Sequence, residues 1–297
     1  MGAFLFYLFK STLCLAMLYL LFRLCFRGDT LFRTNRFLLL GGTAVCLLLP
    51  LVQVDVPQES LWQRPLVAVE AALTRPWAEE ASAEGTLSEA DADSMRLAET
   101  DGLTKTSRSE TSYSGLYLLA ALYAGGALLT LGFFLLSHGR MRQLVRRCPV
   151  RECGGYRLVI GPRGQQSFSW GRTVVLSQED YEQNRETVLL HERMHLHYCH
   201  TADLLWMELL IVLHWFNPAA WLLMRELREV HEFEADSGVL SHGIDATQYQ
   251  LLLVKKSVGT RLYSMASGFG HSKLKQRINM MLKKRTNRLA RLKLLLF

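Results

Sequence analysis

The sequence predicts a mainly α-helical membrane protein, in which N-terminal transmembrane helices precede a cytoplasmic α+β domain with a small sheet. Three observations support this fold class. Hydrophobic residues make up 49% of the 297 residues, and the mean hydropathy is positive at +0.10. The apolar residues cluster into long runs that are flanked by arginines. Further along, short β-branched segments precede helical patterns that carry histidines and carboxylates.

Three apolar runs each have about the length that crosses a bilayer core as a helix. The first is broken only by Lys10 and the third has no charge. The runs are Phe4 to Phe22, Phe37 to Val54 and Leu116 to Leu136. We therefore expect the lipid bilayer to be a partner of this chain.

The charges between the runs predict the orientation of the chain in the cell inner (cytoplasmic) membrane. Arginines follow the first and third runs, at Arg23, Arg27, Arg33, Arg36, Arg140, Arg142, Arg146 and Arg147. The segment between the second and third runs instead holds twelve acidic and five basic residues. The positive-inside rule then places the N-terminus outside and the later domain in the cytoplasm.

These patterns divide the chain into five parts. Residues 1–54 hold two transmembrane helices and a short cytoplasmic loop, and residues 55–113 form an acidic extracytoplasmic loop. Residues 114–137 form the third transmembrane helix, and residues 138–288 form the cytoplasmic domain. Residues 289–297 follow a basic cluster and begin a fourth transmembrane helix that the sequence cuts off. The alternative for this end is a basic helix lying on the anionic membrane surface.

The cytoplasmic domain begins with a strand-like pattern and continues as helices. Tyr156 to Ile160 and Thr173 to Leu176 resemble short strands between turn residues. A helix is predicted from Gln178 to Tyr198, with Ser177 as its N-cap. Phe168 to Leu176 is the best candidate for a sheet edge on which an extended peptide could align, although an ordinary covered strand fits equally well.

Two histidines in the predicted helix suggest a metal site. His191 and His195 lie four residues apart, so both imidazoles project from one face of the helix. Glu192 lies where a general base for a water activated by the metal is needed. A catalytic zinc site takes three protein ligands and keeps one position open. The HERMH motif therefore predicts a zinc site that lacks one ligand.

A second motif, HEFEAD at residues 231–236, offers that ligand. Glu232 supplies a carboxylate, and Asp236 one turn later can accept the free ring N–H of a ligand histidine. The site is thus predicted to bind one Zn²⁺ through His191, His195 and Glu232, with Glu192 as the catalytic residue.

The apolar segment from Ala202 to Met224 has two interpretations. Its hydropathy fits a fourth crossing, but one crossing would place the histidine pair and Glu232 on opposite sides of the membrane. Asn217 and Pro218 resemble the start of a new helix. We therefore predict two helices, Thr201 to His214 and Pro218 to Ser237, in a hairpin. The hairpin is either buried in the domain or dips into the inner leaflet.

Other histidines do not have the spacing of ligands. His197 points away from the metal face, and His200 and His231 lie at the wrong angles. His200, His231 and Tyr249 remain alternatives as hydrogen-bond donors to the transition state.

Taken together, HERMH, HWFNPAAWLLMREL, VHEFEAD and SKLKQRINMM resemble the BlaR/MecR-type integral-membrane zinc metallopeptidases over about residues 114 to 285. The resemblance implies a gluzincin-like cytoplasmic domain, zinc on the residues matching His191, His195 and Glu232, and a catalytic Glu192. In the best-known members, an extracytoplasmic sensor detects a ligand, the protease cuts itself and a transcriptional repressor is inactivated. We expect no such sensor within these 297 residues.

The function expected from the motifs and the resemblance is that of a zinc metalloendopeptidase in transmembrane signalling. Its substrate is expected to be a cytoplasmic protein, either a transcriptional repressor or the chain itself. The alternatives are a non-catalytic metal-bound signalling scaffold and a housekeeping membrane protease of the gluzincin type. The net charge of +7 is accounted for by membrane topology, and no motif indicates direct binding to nucleic acid. The sequence leaves the oligomeric state open.

Overall fold

The computed structural model describes residues 2–52, 110–259, 268–284 and 286. It confirms the predicted fold class, since the chain is mainly helical, with N-terminal apolar helices and a small mixed sheet downstream. Most of the predicted acidic loop and the predicted start of a fourth transmembrane helix lie outside the described residues.

The described residues of the N-terminal region form three long helices, α1 (Gly2–Cys25), α2 (Phe32–Leu48) and α3 (Glu110–Arg147), with one 3₁₀ turn (Leu49–Leu51) after α2. In the described part of the chain, three helical segments are long and apolar enough to cross a membrane: Phe4–Cys25, Phe32–Leu51 and Tyr117–Arg147. Most of the apolar surface of α3 is exposed, as expected for a helix that faces lipid.

A four-stranded sheet follows, with strands β1 (Val150–Cys153), β2 (Tyr156–Gly161), β3 (Phe168–Trp170) and β4 (Thr173–Ser177). The order is β1-β2-β4-β3, and only the β2–β4 pair is parallel. The sequence predicted the two central strands, which are apolar, and named Phe168 to Leu176 as the candidate sheet edge, which contains the edge strand β3. It did not predict β1, which is polar, or separate β3, which has only three residues, from β4.

Six helices follow the sheet in the described part of the chain. They are α4 (Gln178–Gln183), α5 (Arg185–His197), α6 (His200–Leu213), α7 (Pro218–Ser241), α8 (Ala246–Gly259) and α9 (Gly268–Leu282). The single helix predicted from Gln178 to Tyr198 is wrong. Asn184 has φ −138° and ψ 31°, outside the helical region, so its backbone separates α4 from α5.

The hairpin of α6 and α7 packs against the membrane helices. Its apolar residues share one core with α1 and α2, including Leu15, Phe22, Met207 and Leu223. At the hairpin tip, the His214 ring lies 2.7 Å from the Ser11 hydroxyl of α1. Ser11 lies well inside the first candidate span, so the tip packs beside the middle of that span. His214 is fully buried there, whereas Phe216 next to it is exposed.

Candidate metal centre

The packing of α5 against α7 brings the three predicted ligands together. One ligand atom from each of His191, His195 and Glu232 lies within 4.8 Å of the other two. The two Nε2 atoms are 3.2 Å apart, and each lies 3.7 Å from a Glu232 oxygen. Ligands about 2.0–2.1 Å from a tetrahedral zinc ion lie about 3.3 Å from one another. The donor atoms and their spacing therefore fit a zinc ion.

The close approach of α5 and α7 depends on a glycine. Gly238 of α7 faces Met194 of α5, and a Cβ atom on Gly238 would lie 2.7 Å from the Met194 sulfur. Because Met194 belongs to the HERMH motif, the missing side chain at position 238 lets the two ligand-bearing helices come together.

Glu192 is buried beside the ligands, with 7% of its surface exposed. Burial raises the pKa of its carboxyl above the usual value, and the nearby Glu232 charge raises it further. His191 and a hydrogen bond with Ser169 of β3 oppose that rise without cancelling it. A carboxylate with a raised pKa is a stronger base, as general-base catalysis near neutral pH requires.

The pKa shifts of His195 and Glu232 favour the protonation states that bind a metal, but the shift of His191 does not. Burial alone would lower the pKa of His191, but its hydrogen bond with Glu232 and the charges of Glu232 and Asp236 outweigh burial and raise that pKa, so a cation must displace a proton from this ring. Burial, with the positive charge of His191, holds the pKa of His195 well below its usual value, which keeps that ring neutral. Burial alone would raise the pKa of Glu232, but His191 and Arg277 outweigh it and lower the pKa. A neutral imidazole and an ionised carboxylate are the forms that coordinate a cation.

Asp236 lies near the outer nitrogen of His191, but a tyrosine lies between them. The Asp236 oxygen is 3.5 Å from Nδ1 of His191. The hydroxyl of Tyr249, from α8, lies 2.9 Å from the same nitrogen and donates to Asp236 at 2.7 Å. Since its proton goes to Asp236, the Tyr249 oxygen accepts the N–H of His191. The tyrosine therefore faces the side of the ring away from the metal.

His200 lies against the outer nitrogen of His195. The two Nδ1 atoms are 2.7 Å apart, and the His200 ring is almost fully buried. The structure thus brings His200 next to a predicted ligand instead of into the group of predicted ligands. The sequence reasoning missed this contact, because the five-residue spacing spans the turn between α5 and α6.

Arg277 of α9 was not singled out from the sequence, although the SKLKQRINMM segment contains it. Its Nη1 atom lies 2.9 Å from a Glu232 oxygen, and its Nε atom donates to Asp236 at 2.8 Å. The guanidinium therefore orients the predicted carboxylate ligand and balances the charge of the two acidic side chains.

The apolar helices and this cluster define a membrane-associated protein whose domain carries a candidate metal centre. Residues 169–281 match the model of the BlaR1 peptidase M56 family, which confirms the resemblance to BlaR/MecR-type membrane metallopeptidases. No curated protein matches the chain. The matched segment begins in β3 and ends in α9, so it contains all the residues of the candidate metal centre.

Proposed function

We propose that the chain is a membrane-embedded zinc endopeptidase that cleaves a cytoplasmic protein during transmembrane signalling. The observation that carries this proposal is the convergence of His191, His195 and Glu232, with the buried Glu192 beside them. A site that only held a structural metal would have no use for a base at that position.

The residues of the site have separate roles in the proposed reaction. A bound zinc ion supplies Lewis-acid chemistry that acidifies water and polarises a peptide carbonyl. Glu192 accepts the proton of the attacking water and later delivers it to the leaving amine. Arg277 and Tyr249 hold Glu232 and His191 in place, so that little reorganisation is needed during the reaction.

The site has room for a polypeptide. A cavity of about 410 Å³ opens beside His195 and Glu232 and is also lined by Ser169 of β3. Since β3 is an edge strand that packs against α5, we propose that a substrate segment adds to β3 as a further strand. A strand added there would run beside His195 and Glu232, which line the cavity together with Ser169.

The substrate that we propose is a cytoplasmic regulator such as a transcriptional repressor, or the chain itself. The basic loop after α1 contacts the peptidase domain, since Arg27 lies 3.7 Å from both Glu226 and Glu229 of α7. Loop and domain therefore lie on the same side of the membrane, and the positive-inside rule makes that side the cytoplasm.

The decisive experiment compares Glu192→Ala with the wild type in proteoliposomes. We expect one zinc per chain in both proteins. The variant should cleave an unstructured protein substrate, and the chain itself, at least about 10²-fold more slowly. Glu186→Ala removes an exposed carboxylate of the same helix and should cleave at the wild-type rate. Equal processing by Glu192→Ala and wild type would instead support the scaffold alternative.

A further inference from the structure

Arg36 is a buried arginine in a membrane-spanning helix. It lies in the second turn of α2, and only 8% of its surface is exposed. Its Nε atom donates to Asp203 of α6 at 2.6 Å, and Nη2 donates to the same carboxylate at 3.2 Å. Nη2 also donates to the Tyr198 carbonyl at the end of α5. A buried guanidinium with this many partners is held in one orientation.

The same guanidinium also reaches a second carboxylate, Glu234 of α7. Nη1 of Arg36 lies 3.5 Å from the Glu234 Oε2 atom, and the glutamate is 3% exposed. That oxygen lies 3.2 Å from Nε2 of His200. His200 in turn contacts His195 through their Nδ1 atoms. A continuous chain of polar contacts therefore runs from α2 to a predicted metal ligand.

Metal binding by Nε2 of His195 determines the direction of each hydrogen bond along this series of contacts. When Nε2 of a neutral imidazole binds a metal, the ring proton must be on Nδ1. His195 therefore donates to Nδ1 of His200, which must accept. The remaining proton of His200 is then on Nε2 and is donated to Glu234. Glu234 can accept only as a carboxylate, and a buried carboxylate requires a countercharge. The buried Arg36 supplies it at 3.5 Å, on the oxygen that faces His200, whereas the exposed Arg33 lies 3.9 Å from the other oxygen.

A second branch holds the His200 ring itself. The rings of His200 and His231 are stacked, with centroids 3.9 Å apart and planes 12° from parallel. Nε2 of His231 lies 2.9 Å from the Asp203 oxygen that also accepts from Arg36. Arg36 thus holds two residues that contact His200: Glu234, which accepts a hydrogen bond from His200, and His231, which stacks on the His200 ring.

We propose that Arg36 is a positioning residue for the metal centre. Through Glu234 and His200 it fixes the tautomer and orientation of His195, and so couples the position of α2 to metal affinity. This inference rests on the proposed zinc site. A shift of α2 against α6 and α7 would loosen His195, which gives the membrane region a physical route to control the peptidase.

The test uses the full chain in detergent, with Zn²⁺ affinity measured by chelator competition and Co²⁺ as a spectroscopic probe. Arg36→Gln should weaken Zn²⁺ binding about 10–100-fold and change the visible absorption of bound Co²⁺. Arg36→Lys keeps the positive charge but loses the planar guanidinium group, so its Zn²⁺ affinity should lie between those of wild type and Arg36→Gln. The matched control is Arg27→Gln, which also breaks ion pairs to α7 and should bind within about twofold of wild type.

A double-variant cycle separates coupling from a general structural defect. His200→Leu alone should weaken binding as much as Arg36→Gln, and the combined variant should be no weaker than the worse single variant. Losses that multiply, or a folded Arg36 variant with wild-type affinity and Co²⁺ spectrum, would overturn the coupling. If Arg36→Gln does not fold, the result with Arg36→Lys decides. A wild-type chain that binds no Zn²⁺ would overturn the proposed function itself.

Discussion

The two predicted ligand histidines are held by different partners at their outer nitrogens. His191 donates to the Tyr249 hydroxyl, which passes its own proton to Asp236, whereas His195 is held by His200. Both arrangements place the ring proton on Nδ1 and leave Nε2 free for a metal. Fixing the tautomer in advance means that less ordering is needed when the ion binds.

Removing one hydroxyl tests the first arrangement. Tyr249→Phe keeps the buried ring but leaves the His191 N–H without its acceptor. We expect Zn²⁺ affinity to fall about 10-fold, as is usual when the outer partner of a metal ligand is lost. Chelator competition measures the change, and Tyr181→Phe, which removes a hydroxyl from α4, is the control. Equal affinities of Tyr249→Phe and wild type would show that Asp236 alone suffices.

At the scale of elements, a buried carboxylate joins the sheet to α4 and α8. Asp180, in the first turn of α4, accepts from the Ser167 hydroxyl and from Lys256 of α8 at 2.8 Å. Burial alone would raise its pKa, but Lys256, Ser167 and Ser177 outweigh burial and hold the pKa below 3.8. These contacts keep the end of β4, and so the adjoining sheet, in register with the helices.

The lowered pKa of Asp180 determines the direction in which the stability of the fold changes with pH. A carboxyl whose pKa is lower in the folded state stabilises the fold above its unfolded value of 3.8, and that contribution is lost as pH falls through the folded-state pKa. Asp180→Asn should therefore cost about 1–3 kcal/mol at pH 7. Its difference from wild type should shrink below pH 3.8. Thermal unfolding measures both, with the exposed neighbour Glu179→Gln as control. A pH-independent difference would assign the loss to packing.

The sequence predicted those features of the helices that depend on the spacing of residues close together in the chain. The grouping of His191, His195 and Glu232 was expected from two i,i+4 motifs, and the structure brings these side chains together. The hairpin was predicted from Asn217, which does cap α7 by accepting from the Ala219 N–H. The break at Asn184 was missed, because no proline or glycine marks it.

Tyr249 was named only as an alternative donor to the transition state, and its contacts with His191 and Asp236 were not predicted. Arg277 and Arg36 were missed as parts of the site. Helices distant in sequence bring these residues there, and the local spacing of residues does not reveal that packing.

At the scale of the whole molecule, the hairpin tip docks the peptidase domain onto α3. The Tyr123 hydroxyl donates to the Leu213 carbonyl at 2.9 Å, and the Trp215 indole donates to the Tyr123 carbonyl at 3.2 Å. Gly126 lets the indole approach, because a Cβ atom there would lie 2.2 Å from the Trp215 ring. The third membrane helix is thus attached to the domain at a second place besides its own C-terminus.

Two adjacent glycines allow a matched test of that docking. Gly126→Leu should force the Trp215 ring away and cost about 1–3 kcal/mol, the usual range for overpacking. Gly125→Leu introduces the same side chain where nothing lies within 4 Å of the new Cβ, so it should be nearly neutral. Thermal unfolding in lipid nanodiscs compares the two variants. Equal losses would mean that the hairpin tip does not depend on α3.

The proposed orientation of the whole molecule in the membrane can be tested by labelling single cysteines. Cys199 is exposed at the turn between α5 and α6, on the side of the membrane that holds the predicted ligands. In a variant whose other five cysteines are serine, a membrane-impermeant maleimide should label Cys199 in inverted vesicles but not in right-side-out vesicles. In a second variant, Cys199 is also replaced by serine, and Ser82→Cys, within the acidic segment, supplies the single cysteine. This variant should be labelled in right-side-out vesicles but not in inverted vesicles. Labelling of Cys199 from the outer face would move the peptidase domain, and its substrate, out of the cytoplasm. The Zn²⁺ affinity would be unchanged, so such a result would overturn the proposed substrate while leaving the metal centre intact.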